Sequence, residues 1–69
     1  MNATIRVNGE VRRLTATTLE ALLIDEGLDV TARGLAVARN GTVAPRASWA
    51  ATSLEAGDEI EIVKAVRGG

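Results

Sequence analysis

Apolar and polar residues alternate along Thr4-Ile5-Arg6-Val7, and Leu35 and Val37 alternate with Ala36 and Ala38; each stretch soon meets an Asn-Gly pair. Alternation sends Ile5 and Val7, or Leu35 and Val37, to one face of a strand. Asn8-Gly9 and Asn40-Gly41 supply the two positive φ values of a type I′ turn, so each stretch predicts the first arm of a β-hairpin. The returning arms are EVRRL and TVA, and Pro45, which has no N–H to give, stops the second. Between the hairpins the period changes. In TTLEALLIDEG, Leu19, Leu22 and Leu23 share one helical face. Thr17 with Glu20 three residues on reads as a capping box, and Gly27 stands where a helix C-cap belongs. A helix of about two to three turns is expected, with Leu28 and Val30 continuing the burial through the following loop. RASWAATSL predicts one turn at most, EAGDE a turn, and EIEIVKAV the last strand.

Strand, strand, helix, strand, strand, turn, strand describes an α+β domain in which one helix packs on a mixed sheet. At 69 residues, without linker, repeat or low-complexity segment, residues 1–69 are expected to form a single domain. Seven Val, four Ile, seven Leu and Trp49 can furnish a core, each contributing roughly 1.5–3 kcal/mol when buried, against chain entropy that offsets most of it. With no cysteine, neither disulfides nor a thiolate zinc site can reinforce it.

Charge and composition exclude more than they assign. Eight basic and nine acidic residues are interspersed, and Trp49 is the one aromatic, which argues against a basic, stacking surface for nucleic acid. The segment MNATIRVNGE lacks a basic region followed by an apolar run, and no apolar run approaches membrane-spanning length, so a cytoplasmic location is expected. His, Cys and Tyr are absent, leaving Ser48 and Ser53 without a base to activate them. Glu59 and Glu61 alternate with Ile60 and Ile62, as solvent-facing strand residues do, rather than as an acid–base pair. Neither a phosphate-cradling loop nor metal-ligand spacing is present, so catalysis by the chain itself is not expected.

One reactive group is not a side chain. The last predicted strand runs into RGG, and Gly68 and Gly69 form an unbranched arm whose α-carboxylate can enter a narrow tunnel. Attack of that carboxylate on the α-phosphate of ATP gives an acyl-adenylate, and a sulfur or nitrogen nucleophile can displace AMP from it. A frayed end is the bland alternative. Residues 36–69 carry a more specific signal: the Asn-Gly hairpin, Pro45-Arg46 followed by Trp49, Gly57-Asp58, and the terminal Gly68-Gly69. In order and spacing they resemble the ThiS family, the sulfur carriers of thiamine biosynthesis; over residues 1–35 the likeness is architectural only.

The resemblance implies a β-grasp fold like that of ubiquitin, with the first and last strands parallel at the centre of a five-stranded sheet, one helix across a face, and a tail at 67–69. It implies that an E1-like adenylating enzyme uses ATP-Mg to activate the Gly69 carboxylate, that sulfur from a persulfide converts it to a thiocarboxylate, and that thiazole synthase takes up the sulfur. Gly69 would be the covalent carrier, Gly68 and Arg67 the approach to it. A carrier for molybdopterin synthesis or another thiocarboxylate pathway, a ubiquitin-like modifier, and a non-covalent adaptor with an idle tail are the competing readings. The free chain is expected to be a monomer, because it alternates between enzymes through one surface.

Val63 and Ala65 fall on the opposite parity from Ile60 and Ile62, and Ala36 and Ala38 can join them. These four are the candidate docking patch, unless a bulge shifts the register. Trp49 is expected as a core lid over the last strand, and Arg46 either pairs with Asp58 or is solvated.

Overall fold

The structure, a computed structural model, describes residues 3–65. Strands β1 (Thr4–Val7) and β2 (Glu10–Arg13) form the first hairpin, and β3 (Leu35–Arg39) and β4 (Thr42–Val43) the second. Asn8 and Asn40 sit at φ 51° and 52°, each followed by a positive-φ glycine, as a type I′ turn requires. Strand β5 (Glu59–Lys64) lies between the hairpins, giving the order β2-β1-β5-β3-β4. It runs parallel to β1 and antiparallel to β3. This is the mixed five-stranded sheet of a β-grasp domain.

The helix α1 (Leu19–Asp25) spans two turns and buries Leu19, Leu22 and Leu23, the face that the apolar spacing predicts. Its cap differs from the expectation by one residue. Thr18, not Thr17, is the N-cap, and its hydroxyl accepts from the Ala21 amide at 3.1 Å. The reason is long-range: the Thr17 carbonyl accepts from the Leu54 amide and the Leu19 amide donates to Thr52, so a short bridge to residues 52–54 fixes where the helix starts. The other end closes as a Schellman motif, in which Gly27 donates to Ile24 and Leu28 to Leu23, with Gly27 at φ 80°.

Residues 46–51 form a 3-10 helix, about two turns where the sequence predicts one at most. Trp49 at its centre is 2 % exposed, and its indole N–H donates to the Ala44 carbonyl at 2.8 Å. Ile5, Val7, Leu35, Val37 and Ile60 from the sheet meet Leu19, Leu22, Leu23, Trp49 and Leu54 in one core, and Leu28 and Val30 pack partly buried against it. Each sheet residue lies on the parity that the alternation assigns to the inner face.

Candidate functional site

Everything that bears on the C-terminal segment hangs on β5, and β5 is clasped from both sides. Toward β1, the Asn8 amide N–H donates to the Ile60 carbonyl. The side-chain amide of the same residue accepts from the Ile62 N–H at 2.8 Å and donates to the Ile62 carbonyl at 3.3 Å. The Asn8 side chain thus acts as one more strand residue, extending the β1–β5 ladder past the point where β1 turns away. Toward β3, Asn40 donates through its amide to the Glu59 carbonyl and accepts on its side-chain oxygen from the Glu59 N–H. The two turn asparagines therefore hold the strand that leads to the Gly-Gly segment.

Asp58 anchors the beginning of β5. It is 6 % exposed, and three donors converge on it: Arg39 Nε at 2.9 Å, the Asn40 side-chain amide at 3.0 Å and the Glu55 N–H at 2.8 Å. Burial alone would raise its pKa, but the Asn40, Glu55 and Arg39 donors outweigh burial and hold the carboxyl below its ordinary value. Of the expected alternatives for Arg46, pairing with Asp58 gives way, while the solvated side chain is borne out in that Arg46 is exposed, though its guanidinium is engaged. Arg39 takes the Asp58 carboxylate, while the Arg46 guanidinium donates to the carbonyls of Val30, Ala32 and Leu35 and stacks over Trp49 at 4.7 Å from the ring centroid. Arg46 is a strap that ties the loop before β3 onto the buried indole.

The outer face of β5 carries the residues singled out for docking. The β3–β5 register runs without a bulge from Leu35↔Lys64 to Arg39↔Ile60, setting Ala36 opposite Val63 and Ala38 opposite Glu61. Val63 is 61 % exposed. Ala38 pairs with Val43, 73 % exposed, and these residues line a shallow hollow of about 200 Å³. Val43 belongs to this surface but was not among the four candidates; its alternation in TVA was the available signal. Ala65 stands apart from the hollow. It lies past the end of β5, its amide donating to the Gly34 carbonyl at 2.9 Å, and it lines a second groove with Leu28, Arg33 and Lys64.

On the helix side, Arg12 bridges Glu26 at 2.6 Å and Glu10 at 3.0 Å; its pKa is raised by the Glu10 hydrogen bond and the Glu26 charge. Glu59 and Glu61 are both exposed, as their alternation predicts. Among the described residues no three His, Cys, Asp or Glu side chains cluster as a metal site would need, and no helix is long and apolar enough to cross a membrane. Arg67, Gly68 and Gly69 lie outside the described residues.

Known proteins resemble this chain in sequence and in fold. The crystal structure of a thiamine biosynthesis protein, ThiS, from Geobacter metallireducens superposes with a TM-score of 0.77 at 26 % identity, covering 96 % of this chain and 99 % of that one. A thiazole synthase of Paramagnetospirillum magneticum is 42 % identical over 64 residues, 91 % of this chain and 19 % of its own length. A thiazole synthase of Magnetococcus marinus is 41 % identical over 66 residues, 94 % of this chain and 20 % of its own. The chain spans about a fifth of the length of these curated relatives. A model of the ThiS family matches residues 5–69, the Gly-Gly pair included. The five-stranded mixed sheet with one helix agrees with that match, and the chain belongs to the ThiS family.

Proposed function

We propose that this chain is a sulfur carrier for thiazole formation in thiamine biosynthesis, with the Gly69 carboxylate as the carrying group. The observation that carries the reading is the family match over residues 5–69, which takes in Gly68 and Gly69. The carboxylate oxygen attacks the α-phosphate of ATP-Mg on an E1-like adenylating enzyme and expels pyrophosphate. Sulfide displaces AMP and leaves a thiocarboxylate directly. Where a persulfide delivers the sulfur, its terminal sulfur displaces AMP to give an acyl disulfide, and a thiol then reduces the S–S bond, releasing the thiocarboxylate and a disulfide. The chain has no His, Cys or Tyr, and Glu59 and Glu61 are exposed strand residues, so in this reading the partners supply the acid–base groups for these steps. What it contributes is a strand held on both sides and an acyl carbon that no side chain shields. It is a cosubstrate of its partners, monomeric when free and working in the cytoplasm.

Thiazole synthase is the proposed acceptor of the sulfur; the two relatives of that name carry a stretch similar to this chain within a much longer protein. Ala36, Ala38, Val43 and Val63 form the proposed docking surface, and Ala65 lines a separate groove. An apolar low-relief patch suits a partner that must bind and release. Asp at both Ala36 and Val63 is expected to raise the apparent KM for the adenylating enzyme by about tenfold or more, through charges buried without partners. Unimpaired adenylation of the folded double variant refutes the patch.

The carrier reading is tested by intact mass after incubation with ATP, sulfide and a thiamine-type adenylating enzyme, beside a variant lacking Gly69. A gain equal to exchanging one oxygen for sulfur, absent from the truncated chain, is the expected result. No gain with an enzyme shown to be active on another carrier refutes it and favours a molybdopterin-type carrier or a protein modifier.

A further inference from the structure

Ala65 is where β5 gives way to the last four residues, and it is seated against a glycine. Its amide N–H donates to the Gly34 carbonyl at 2.9 Å, adding one contact beyond the Leu35↔Lys64 pair at the end of the β3–β5 ladder. On the opposite side the last clasp among the described residues is Asn8 at Ile62, three positions earlier. Gly34 has φ +83°, and a Cβ placed there would stand 3.0 Å from the Ala65 Cβ and 3.4 Å from the Ala65 carbonyl oxygen. A methyl group has no flexible end to swing aside, so relief must come from a backbone. The loop holding Gly34 is the less able to yield. Arg46 donates to carbonyls on both sides of it, at Val30, Ala32 and Leu35, and is itself stacked on buried Trp49.

We propose that Gly34, backed by the Arg46 strap, is a positioning residue that sets the direction in which the chain leaves β5 toward Gly69; this rests on the carrier reading above. Gly69 lies four residues beyond Ala65, so the direction the backbone takes at Ala65 bears on where the carboxylate is presented to a partner. A misplacement of about 1 Å can cost a reaction up to about 100-fold. Docking through Ala36, Val43 and Val63 would be untouched, because those residues lie on the paired part of the sheet.

The test compares wild type, Gly34→Ala, Ala65→Gly and the double variant by steady-state adenylation kinetics, by hydrogen exchange of the residue 65 amide without enzyme, and by urea unfolding. Gly34→Ala is expected to lower kcat by about tenfold or more while KM changes less than about threefold, and to speed exchange at residue 65. Ala65→Gly in that background removes the methyl group that the new one meets, and is expected to restore kcat to within about threefold of wild type. The destabilisation that alanine suffers at positive φ stays in the double variant, so a merely structural role would show no such recovery. Gly34→Asn, which tolerates positive φ and carries the same Cβ, replaces Gly34→Ala should alanine prevent folding. Wild-type kcat in folded Gly34→Ala, or no recovery in the folded double variant, overturns the inference alone. A wild-type chain that forms no adenylate overturns the carrier reading, and this inference with it.

Discussion

Replacing Asp58 with alanine removes the acceptor on which Arg39, Asn40 and the Glu55 amide converge at 2.9, 3.0 and 2.8 Å. Each hydrogen bond to a charged group contributes about 1.5–3 kcal/mol, but the three share one carboxylate and do not add. The Glu55 N–H and the Asn40 amide also lose their acceptor in a partly buried place. About 3 kcal/mol is the expected loss, against a total of roughly 3–10 kcal/mol for a chain of this length. In melting temperature that is on the order of 12–24 °C. Urea unfolding read by the fluorescence of Trp49, the one tryptophan, measures it directly: the midpoint should fall with an unchanged slope. A loss below about 1 kcal/mol would refute the idea that this carboxylate ties the second hairpin to β5.

The same group has a pH signature. Its carboxyl is held below the ordinary value because the Asn40, Glu55 and Arg39 donors outweigh burial, which acts the other way. The folded state therefore binds the proton less readily than the unfolded one. The stabilisation is fully present above the unfolded pKa of about 3.9 and is lost as pH falls through the folded value. Other carboxylates titrate in the same range, so the informative quantity is the difference between wild type and Asp58→Asn. That difference should shrink as pH falls below about 5. A difference that stays constant down to pH 2 would show that Asp58 is not the group responsible.

Thr18→Ala is expected to cost about 1 kcal/mol by loss of the N-cap, and Thr17→Ala much less; equal losses in urea unfolding would restore the capping box at Thr17. Arg46→Lys keeps the charge but not the fork that spans three carbonyls, and should cost about 1 kcal/mol while speeding amide exchange in residues 28–35; unchanged exchange there would argue against the strap. Asn8→Gly preserves the positive φ of the turn and deletes the side-chain clasp, so a loss of about 1 kcal/mol with faster exchange at the Ile62 amide is expected, and unchanged exchange there would dismiss the clasp.

The features legible in the sequence are those whose cause is local. Asn-Gly dictates a type I′ turn wherever it stands between alternating strands, and the spacing of Leu19, Leu22 and Leu23 dictates a buried helical face, so hairpins and helix fall where the pattern puts them. The parity of Val63 against Ile60 is likewise local, and it survives because the β3–β5 register has no bulge. The misreadings have long-range causes. Spacing alone favours Thr17 with Glu20, yet the pairing of Thr17 with Leu54 and of Leu19 with Thr52 moves the cap to Thr18. Opposite charge makes Arg46 one possible partner for Asp58, while the register places Arg39 opposite Ile60, two residues after Asp58.

That division explains why the candidate site was only half readable. The proposed carrying group is a main-chain carboxylate, so no side-chain motif announces it; Gly68-Gly69 gains meaning only when joined to the spacing of Pro45, Arg46, Trp49, Gly57 and Asp58. In the structure those distant residues prove to share a task. Asp58 fixes the start of β5 through Arg39 and Asn40, and Arg46 on Trp49 fixes the loop against which β5 ends. Arg46 donates to the carbonyls of Ala32 and Leu35, on either side of Gly34, and the Gly34 carbonyl in turn accepts from the Ala65 amide. If spacing in this chain reflects mechanics, loosening either anchor should alter where Ala65 points before it alters whether the sheet forms. Amide exchange at Ala65 in Arg46→Lys should then rise while exchange at Ile60 stays slow. Equal acceleration at both amides would mean that the motif residues serve stability alone.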